Sequence, residues 1–285
     1  EHEETMKNIA LYRDILENYD SMAAVIIRDM DAIKKEYGRK RRTAIENAEE
    51  AVYEEKKMEE MEVCFLMDRF GYMKLIDKNA YERNKEAIHN ESRYVFNCMN
   101  TDKICIFTDN GKMHTIKAAD IPLVRFRDKG VPADNLSNYD SAQERMLYVA
   151  PIGQIRSDRL LFVTKTSMCK LVEGAEFDVS KRTIASTKLA EEDELIFIGS
   201  TLEMEQIVMQ SHGGCFLRFL TQEISTMKKT ALGVRGMKLA EGDYVEHAYL
   251  LAAHQEYAIS YHYKEYALNK VRLAKRDTKG VKPRI

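Results

Sequence analysis

ICIFTDNGKMHTI, residues 104–116, decides the fold. An apolar strand runs into a polar turn and returns as a second strand in which a polar or basic residue precedes an apolar one. The Asn110-Gly111 pair suits the left-handed backbone that a tight hairpin turn demands, which makes it the strongest short-range hairpin signal in the chain. The pattern recurs in VCFLMDRFGYMKLI (63–76), LLFVTKTSMCKLV (160–172), IVMQSHGGCFLRF (207–219) and YAISYHYKEYALN (257–269). Phe70-Gly71 and Gly213-Gly214 stand where Asn110-Gly111 does. A second mark follows each turn after roughly 17–21 residues. It reads Ala87-Ile88, Gly130-Val131, Ile184-Ala185, Gly233-Val234 and Gly280-Val281.

Turns that return every 40 to 56 residues or so identify a repeat architecture. Each repeat carries short β-branched and aromatic runs between turn signals. The expectation is a mainly β fold: a propeller-like ring of about five to six four-stranded blades, in which closure protects the edge strands. Two unrelated β-sandwiches would leave the second mark unexplained.

Outward from the repeats, the chain changes character. Met6, Ile9, Ile15, Leu16 and Tyr19 follow a helical period, as do Met22, Val25, Ile26, Met30 and Ile33 after a break at residues 18–21. Asp20 or Ser21 is the expected cap of the second helix and Gly38 its terminator. Two such stripes call for burial on each other or on a partner. Residues 46–61 are rich in Glu and poor in large apolar groups, so they read as an acidic linker. The expected organisation is a helical segment at 1–45, the linker at 46–61 and a β-domain at 62–285.

The 285 residues include 44 Lys and Arg against 46 Asp and Glu, a formal net charge of -2. The distribution is more informative than the total. Residues 1–62 hold 11 basic and 17 acidic residues, whereas 269–285 hold seven basic residues and one acid. Near-neutral domains still bind nucleic acid when their cations share a face. No run of about 18 apolar residues suggests a membrane span, and the acidic, helix-patterned start at 1–12 has no signal-peptide core. The five cysteines form no C-x-x-C pair and read as reduced residues of a cytosolic protein. The seven histidines show no ligand spacing, and no phosphate-binding glycine loop occurs.

Three stretches resemble the A subunits of DNA gyrase and topoisomerase IV, the bacterial type IIA topoisomerases. IKKEYGRKRRTAI (33–45) is similar to the segment that follows the family's coiled-coil gate, with Arg39 where the family usually has an acid. The acidic linker entering VCFLMDRFGYMKLI is similar to the entry into the family's first C-terminal blade. TALGVRGMKLAEGDYV (230–245) is close to a well-marked blade segment. The resemblance implies a β-pinwheel, whose blades exchange strands and whose rim binds and bends double-stranded DNA. It also implies that the cleaving tyrosine lies in an upstream domain, so no catalytic residue is expected here and none of the fifteen tyrosines is read as the nucleophile. No cofactor is expected in this chain. ATP and Mg2+ belong to the full enzyme through its B-type ATPase partner, and the full-length protein is expected to be a homodimer in the bacterial cytoplasm, associated with the nucleoid.

Gyrase carries a QRRGGKG box in its first blade. The aligned stretch here is YERNKEA (81–87), which keeps only Arg83; the last repeat reads AKRDTKG (274–280), keeping Lys275, Arg276, Lys279 and Gly280. This erosion favours a topoisomerase IV type of protein over a gyrase type that wraps DNA for negative supercoiling. A scaffold for protein partners is the reading from another class. Candidate DNA contacts come from the second strands and from the loops before each second mark. They are Arg69, Lys74, Lys112, Arg125, Arg127, Lys129, Lys170, Lys181, Arg182, Arg218, Lys228, Lys229, Arg235, Lys238, Lys270, Arg272, Lys275, Arg276 and Lys279. No metal ligand is among them.

Overall fold

The computed structural model describes residues 1–43 and 59–283, in two compact units, Glu1–Lys56 and Lys57–Ile285. Most of the expected acidic linker, at 46–58, and the end of the helical segment, at 44–45, lie outside the described residues.

The first unit contains α1 (His2–Glu17) and α2 (Tyr19–Tyr37). Asn18, not Asp20 or Ser21, caps α2: its side chain accepts from the Asp20 amide at 3.1 Å, satisfying one of the open N–H groups of the first turn. Gly38 does end α2, in extended backbone rather than the left-handed form. The apolar stripes are not buried on each other. Met6, Ile9, Leu16, Ile26, Met30 and Ile33 all remain exposed among the described residues.

In the second unit, all five hairpins form, and among the described residues they build five blades. Blade I contains Glu62–Asp68, Tyr72–Asp77 and Ser92–Met99. Blade II contains Lys103–Thr108, Lys112–Lys117 and Met146–Pro151. Blade III contains Arg159–Thr164, Met168–Glu173 and Leu195–Ser200. Blade IV contains Gln206–Ser211, Phe216–Leu220 and Val245–Leu251, and blade V the hairpin Ala258–Tyr261 with Lys264–Ala267. In blades I to IV the first strand is central, flanked by the second strand and by the third.

The second mark proves to be the strand that each repeat lends to the blade before it. Val131–Pro132 pairs with the second strand of blade I, Thr183–Ala185 with that of blade II, and Val234–Arg235 with that of blade III. Val281 bridges Phe216 of blade IV in the same way. The glycines of three marks follow from this docking. A Cβ on Gly130 would lie 2.2 Å from the Met73 carbonyl, one on Gly233 2.7 Å from that of Cys169, and one on Gly280 2.8 Å from that of Phe216. Backbone approaches backbone there, and only glycine leaves the room. The first mark departs from the expectation. Ala87-Ile88 is not a strand but part of α3 (Lys78–Glu91), capped by Asp77. Among the described residues no blade precedes blade I, and this segment joins no second strand. It folds over its own blade instead, where Ile88, Ala80 and Tyr81 cover Cys64, Leu66 and Ile76.

The remaining core lies between successive blades. Phe65, Met73 and Leu75 of blade I pack with Ile104, Ile106 and Val149 of blade II. Phe107 and Met113 of blade II meet Phe162, Val172 and Ile198 of blade III. Leu161, Val163 and Leu171 of blade III meet Ile207, Met209 and Phe219 of blade IV. Val208, Phe216 and Leu251 of blade IV meet Leu268 and Val271 beside blade V. Third strands of successive blades touch one another, blade I to II, II to III and III to IV. The borrowed strands occupy the opposite sheet edges, which therefore diverge and form the rim.

Candidate nucleic-acid interface

The rim is built by a repeated device. Before each borrowed strand the chain first runs alongside the same second strand. Leu123 bridges Leu75, Thr226 bridges Leu171 and Leu273 bridges Arg218, all in parallel. In each case the intervening loop is fastened at both ends to one strand and bulges from the rim. Residues 125–129, 228–232 and 275–279 are these loops.

Inside the first two loops sits a cation from the second strand, and in blade IV the corresponding cation holds the backbone just before the loop. Lys74 Nζ donates to the carbonyl of Phe126 and, at 2.9 Å, to that of Asp128. Its ammonium also lies 5.2 Å from the centre of the Phe126 ring. Lys170 Nζ donates to the carbonyls of Lys229 and Ala231, each at 2.7 Å, and to that of Lys228 at 3.4 Å. Arg218 donates to the carbonyls of Asn269 and, at 3.0 Å, Val271, and its Nε to Gln206 Oε1 at 2.8 Å. The three are register equivalents, paired with Leu66, Phe162 and Val208 of the neighbouring first strands. Their charge satisfies carbonyls of the turning backbone; those of Lys228 and Lys229 also accept from the Ala231 and Lys188 amides, at 3.0 and 3.1 Å. Lys170 is 1% exposed, and burial pushes its pKa down to about 8, with Glu176 opposing the shift.

Blade II puts His114 at this position. A shorter, planar ring cannot span a loop, and the lead-in is correspondingly tight. In the observed register Thr183, one residue before the Ile184-Ala185 mark, stands where Gly130 does in blade I, and its hydroxyl lies 3.1 Å from His114 Nδ1. His114 Nε2 lies 2.9 Å from Glu144 Oε2, and Lys112 Nζ lies 3.1 Å from Glu144 Oε1. Burial pushes the Glu144 carboxyl up, but hydrogen bonds from His114, Thr108 and Lys112 outweigh it and hold the group below its ordinary value of 4.5. A depressed carboxylate contributes stability that is present above the unfolded-state pKa and lost as pH falls through the folded one. Glu144→Gln is therefore expected to be less stable than wild type at neutral pH, with the gap closing below about pH 4.5. Urea titrations at a series of pH values measure this, and a gap independent of pH would refute it.

The sequence-predicted cations thus divide. Lys74, Lys170 and Arg218 are corrections to the expectation: they hold backbone rather than face solvent, and Lys170 is enclosed. Arg276 is half-buried, with its amide on Glu223 Oε2 at 2.9 Å and Nε on the Glu223 carbonyl at 3.1 Å. Lys229 donates to the Glu176 carbonyl at 3.0 Å. Lys112, Lys228 and Arg235 are exposed but face Glu144, Glu176 and Asp277. Arg69, Arg125, Arg127, Lys129, Lys181, Arg182, Lys238, Lys270, Arg272, Lys275 and Lys279 are exposed and make no ion pair among the described residues. The bulging loops and borrowed-strand lead-ins bring most of these to the rim; Arg69 reaches it from the hairpin turn of blade I, in one cleft with Lys129.

Sequence reasoning missed four further cations. Arg93 and Arg145 line a cleft beside Arg69. Lys264 and Lys282 flank the Gly213-Gly214 turn. Arg93 and Arg145 lie at the starts of third strands and Lys282 directly follows a mark, so the repeat alignment contained the signal.

Three segments of the chain, 102–141, 158–201 and 205–252, match the family profile described as DNA gyrase C-terminal domain, beta-propeller. They begin near the hairpins of blades II, III and IV and run on through each repeat. Over these three segments the chain is similar to that family. Comparison with whole proteins gives the same relationship. The A subunit of DNA gyrase from Clostridium acetobutylicum is 30% identical over 248 residues, covering 83% of this chain and 30% of the relative. The A subunit of DNA topoisomerase 4 from Bacillus subtilis is 29% identical over 255 residues, covering 86% of this chain and 32% of the relative. The chain thus spans about a third of the length of these proteins. Among solved structures, the C-terminal domain of DNA topoisomerase IV superposes with a TM-score of 0.69 at 23% identity, covering 78% of this chain and 72% of that one. The DNA gyrase A C-terminal domain superposes at 0.53 with 18% identity, covering 78% and 76%. Both show the fold. The stretch aligned with the gyrase box, 81–87, lies in α3 over blade I, kinked at Asn84 (φ -124°, ψ 17°), with Arg83 exposed beside the Arg125 loop.

Proposed function

We propose that this blade array is a non-catalytic grip for double-stranded DNA, holding and bending the duplex along its rim and steering it to the catalytic core of a type IIA topoisomerase. One observation carries the reading. Loops rich in Lys and Arg return at the borrowed-strand edge of blade after blade, and exposed cations there are left without carboxylate partners. Such a track meets phosphates without reading sequence. A bend over a few helical turns costs on the order of 1–6 kcal/mol, which several contacts together offset. A protein-interaction scaffold would call for an apolar or acidic rim instead.

Within that reading we favour a topoisomerase IV type of grip over a gyrase type of wrap. Support comes from the first repeat, where the stretch aligned with the box is a helix covering its own blade, and from the last, where Arg276 is pinned to Glu223. The rival gyrase reading draws on the names of the relatives, several of which are gyrase A subunits. In the full enzyme the parent protein would act as a homodimer in the bacterial cytoplasm, and the B-type partner would supply ATP hydrolysis and Mg2+.

Two measurements test this. Fluorescence titration of a labelled duplex at low salt is expected to show binding that does not depend on sequence; no binding would sink the DNA-grip reading. Ligation of a nicked circle with the protein bound is expected to leave the linking number nearly unchanged. A shift toward positive supercoils would overturn the topoisomerase IV preference in favour of a chiral wrap.

A further inference from the structure

The hairpin turn of blade I carries an aromatic side chain that the fold does not require. Phe70 is 81% exposed. Its register equivalents in blades II, III and IV are Asn110, Thr166 and Gly213, so the turn itself tolerates polar and small residues. The turn is nevertheless rigid. Asp68 Oδ1 accepts from the Phe70 and Tyr72 amides at 2.8 and 3.0 Å, Gly71 takes the left-handed conformation at φ 84°, and its carbonyl accepts from Ala133 at 3.1 Å. A large apolar group is thus held out into water on a preorganised support.

Clefts of about 400 and 340 Å³ lie on the two sides of this ridge. The first is lined by Arg69, Tyr72 and Lys129, with the Lys129 ammonium 4.4 Å from the centre of the Tyr72 ring. The second is lined by Arg69, Arg93 and Arg145, of which Arg145 already faces Asp109 at 2.7 Å and Glu194 at 3.6 Å. Most carboxylates nearby are internally engaged: Asp68 by the turn amides, Asp128 by the Arg125 amide and Glu144 by His114. Glu91, in the first cleft, makes no such bond among the described residues. An apolar ridge with cations in the clefts on both sides matches a minor groove, which is about 6 Å wide and bordered by two phosphate backbones.

We infer that Phe70 is a wedge that enters the minor groove of bound duplex and partly unstacks one base step, while the cations of the two clefts take the phosphates of the two strands. Apolar wedges of this kind kink DNA toward the major groove. The inference rests on the DNA-grip reading and adds the point at which the duplex is bent.

The test uses this whole chain and a duplex of about 30 base pairs labelled at both ends for energy transfer. Wild type is expected to bring the ends closer on binding. Phe70→Ala is expected to lose most of that change and to bind about tenfold more weakly, the scale of one lost base–aromatic contact. Phe70→Trp should retain the bend. Circular dichroism and thermal unfolding of Phe70→Ala should match wild type, because the side chain is exposed and its equivalents are small or polar. If Phe70→Ala bends DNA as wild type does, the wedge is wrong and the turn serves a different partner, such as another protein surface. If wild type itself fails to bind duplex, the DNA-grip reading fails and takes the wedge with it.

Discussion

Lys170→Met is expected to destabilise the β-unit by on the order of 3 kcal/mol, lowering its melting temperature by roughly 6–12 °C. The substitution keeps the length and apolar stem of the side chain, so it opens little cavity. It removes the donors that hold the carbonyls of Lys228, Lys229 and Ala231. Those carbonyls point into a loop closed at both ends, at Thr226 on Leu171 and at Val234 on Cys169, and cannot turn outward without unfastening it. The loss should concentrate at this edge. Hydrogen exchange at Val234 and Arg235 is expected to accelerate far more than exchange in the central strand Arg159–Thr164. Lys170→Arg, which keeps a cation, should recover part of the stability. Lys238→Met at an exposed position is the reference and should change stability by less than about 0.5 kcal/mol. A Lys170→Met protein as stable as that reference would show that the buried ammonium is incidental.

The second large effect is on DNA. If about six rim cations each neutralise one phosphate, log affinity falls with log salt at a slope of about 5, so affinity drops roughly a thousandfold between 50 and 200 mM salt. Replacing Arg125, Arg127 and Lys129 together by alanine should lower that slope by up to about 3, equally on unrelated duplex sequences. The three occupy one loop held from within by Lys74, and all are exposed, so the fold should be little affected. Lys112→Ala and Lys228→Ala should change the slope less, because Glu144 and Glu176 already face those ammonium groups. A triple variant with the wild-type slope would remove this loop from the interface.

Much of the fold was legible in sequence because hairpins are local. Apolar alternation, a turn dipeptide and a return strand lie within fourteen residues, and short-range physics suffices to recognise them. The second mark was legible as a pattern but not as a structure. Gly130, Gly233 and Gly280 recur because a backbone carbonyl from the preceding repeat lies where a Cβ would be, and that partner is tens of residues away. Ala87-Ile88 resembled the other marks in sequence yet became helix. What differs is that this segment packs on its own blade, and among the described residues no blade stands before it.

The candidate interface shows the same division more sharply. Lys74, Lys170 and Arg218 read as surface cations because they occupy the polar alternate positions of their strands. Only the folded rim reveals that a later backbone segment runs past each and offers it carbonyls. The turns illustrate the reverse case. Asn110-Gly111 announced itself, whereas blade III reaches the same left-handed geometry with Ser167 at φ 71°, whose Oγ accepts from the Met237 amide at 2.7 Å.

What the amino-acid sequence determined by itself was the repeat: five hairpins, their spacing, the family they resemble and the supply of Lys and Arg between them. Which cations face water, which strand completes which blade and where an aromatic stands unsupported were decided only by tertiary structure. The reason is physical. Hairpin propensity resides in contiguous residues, but burial of an ammonium, closeness of two backbones and exposure of a ring are properties of the space between segments that the chain brings together only when it folds.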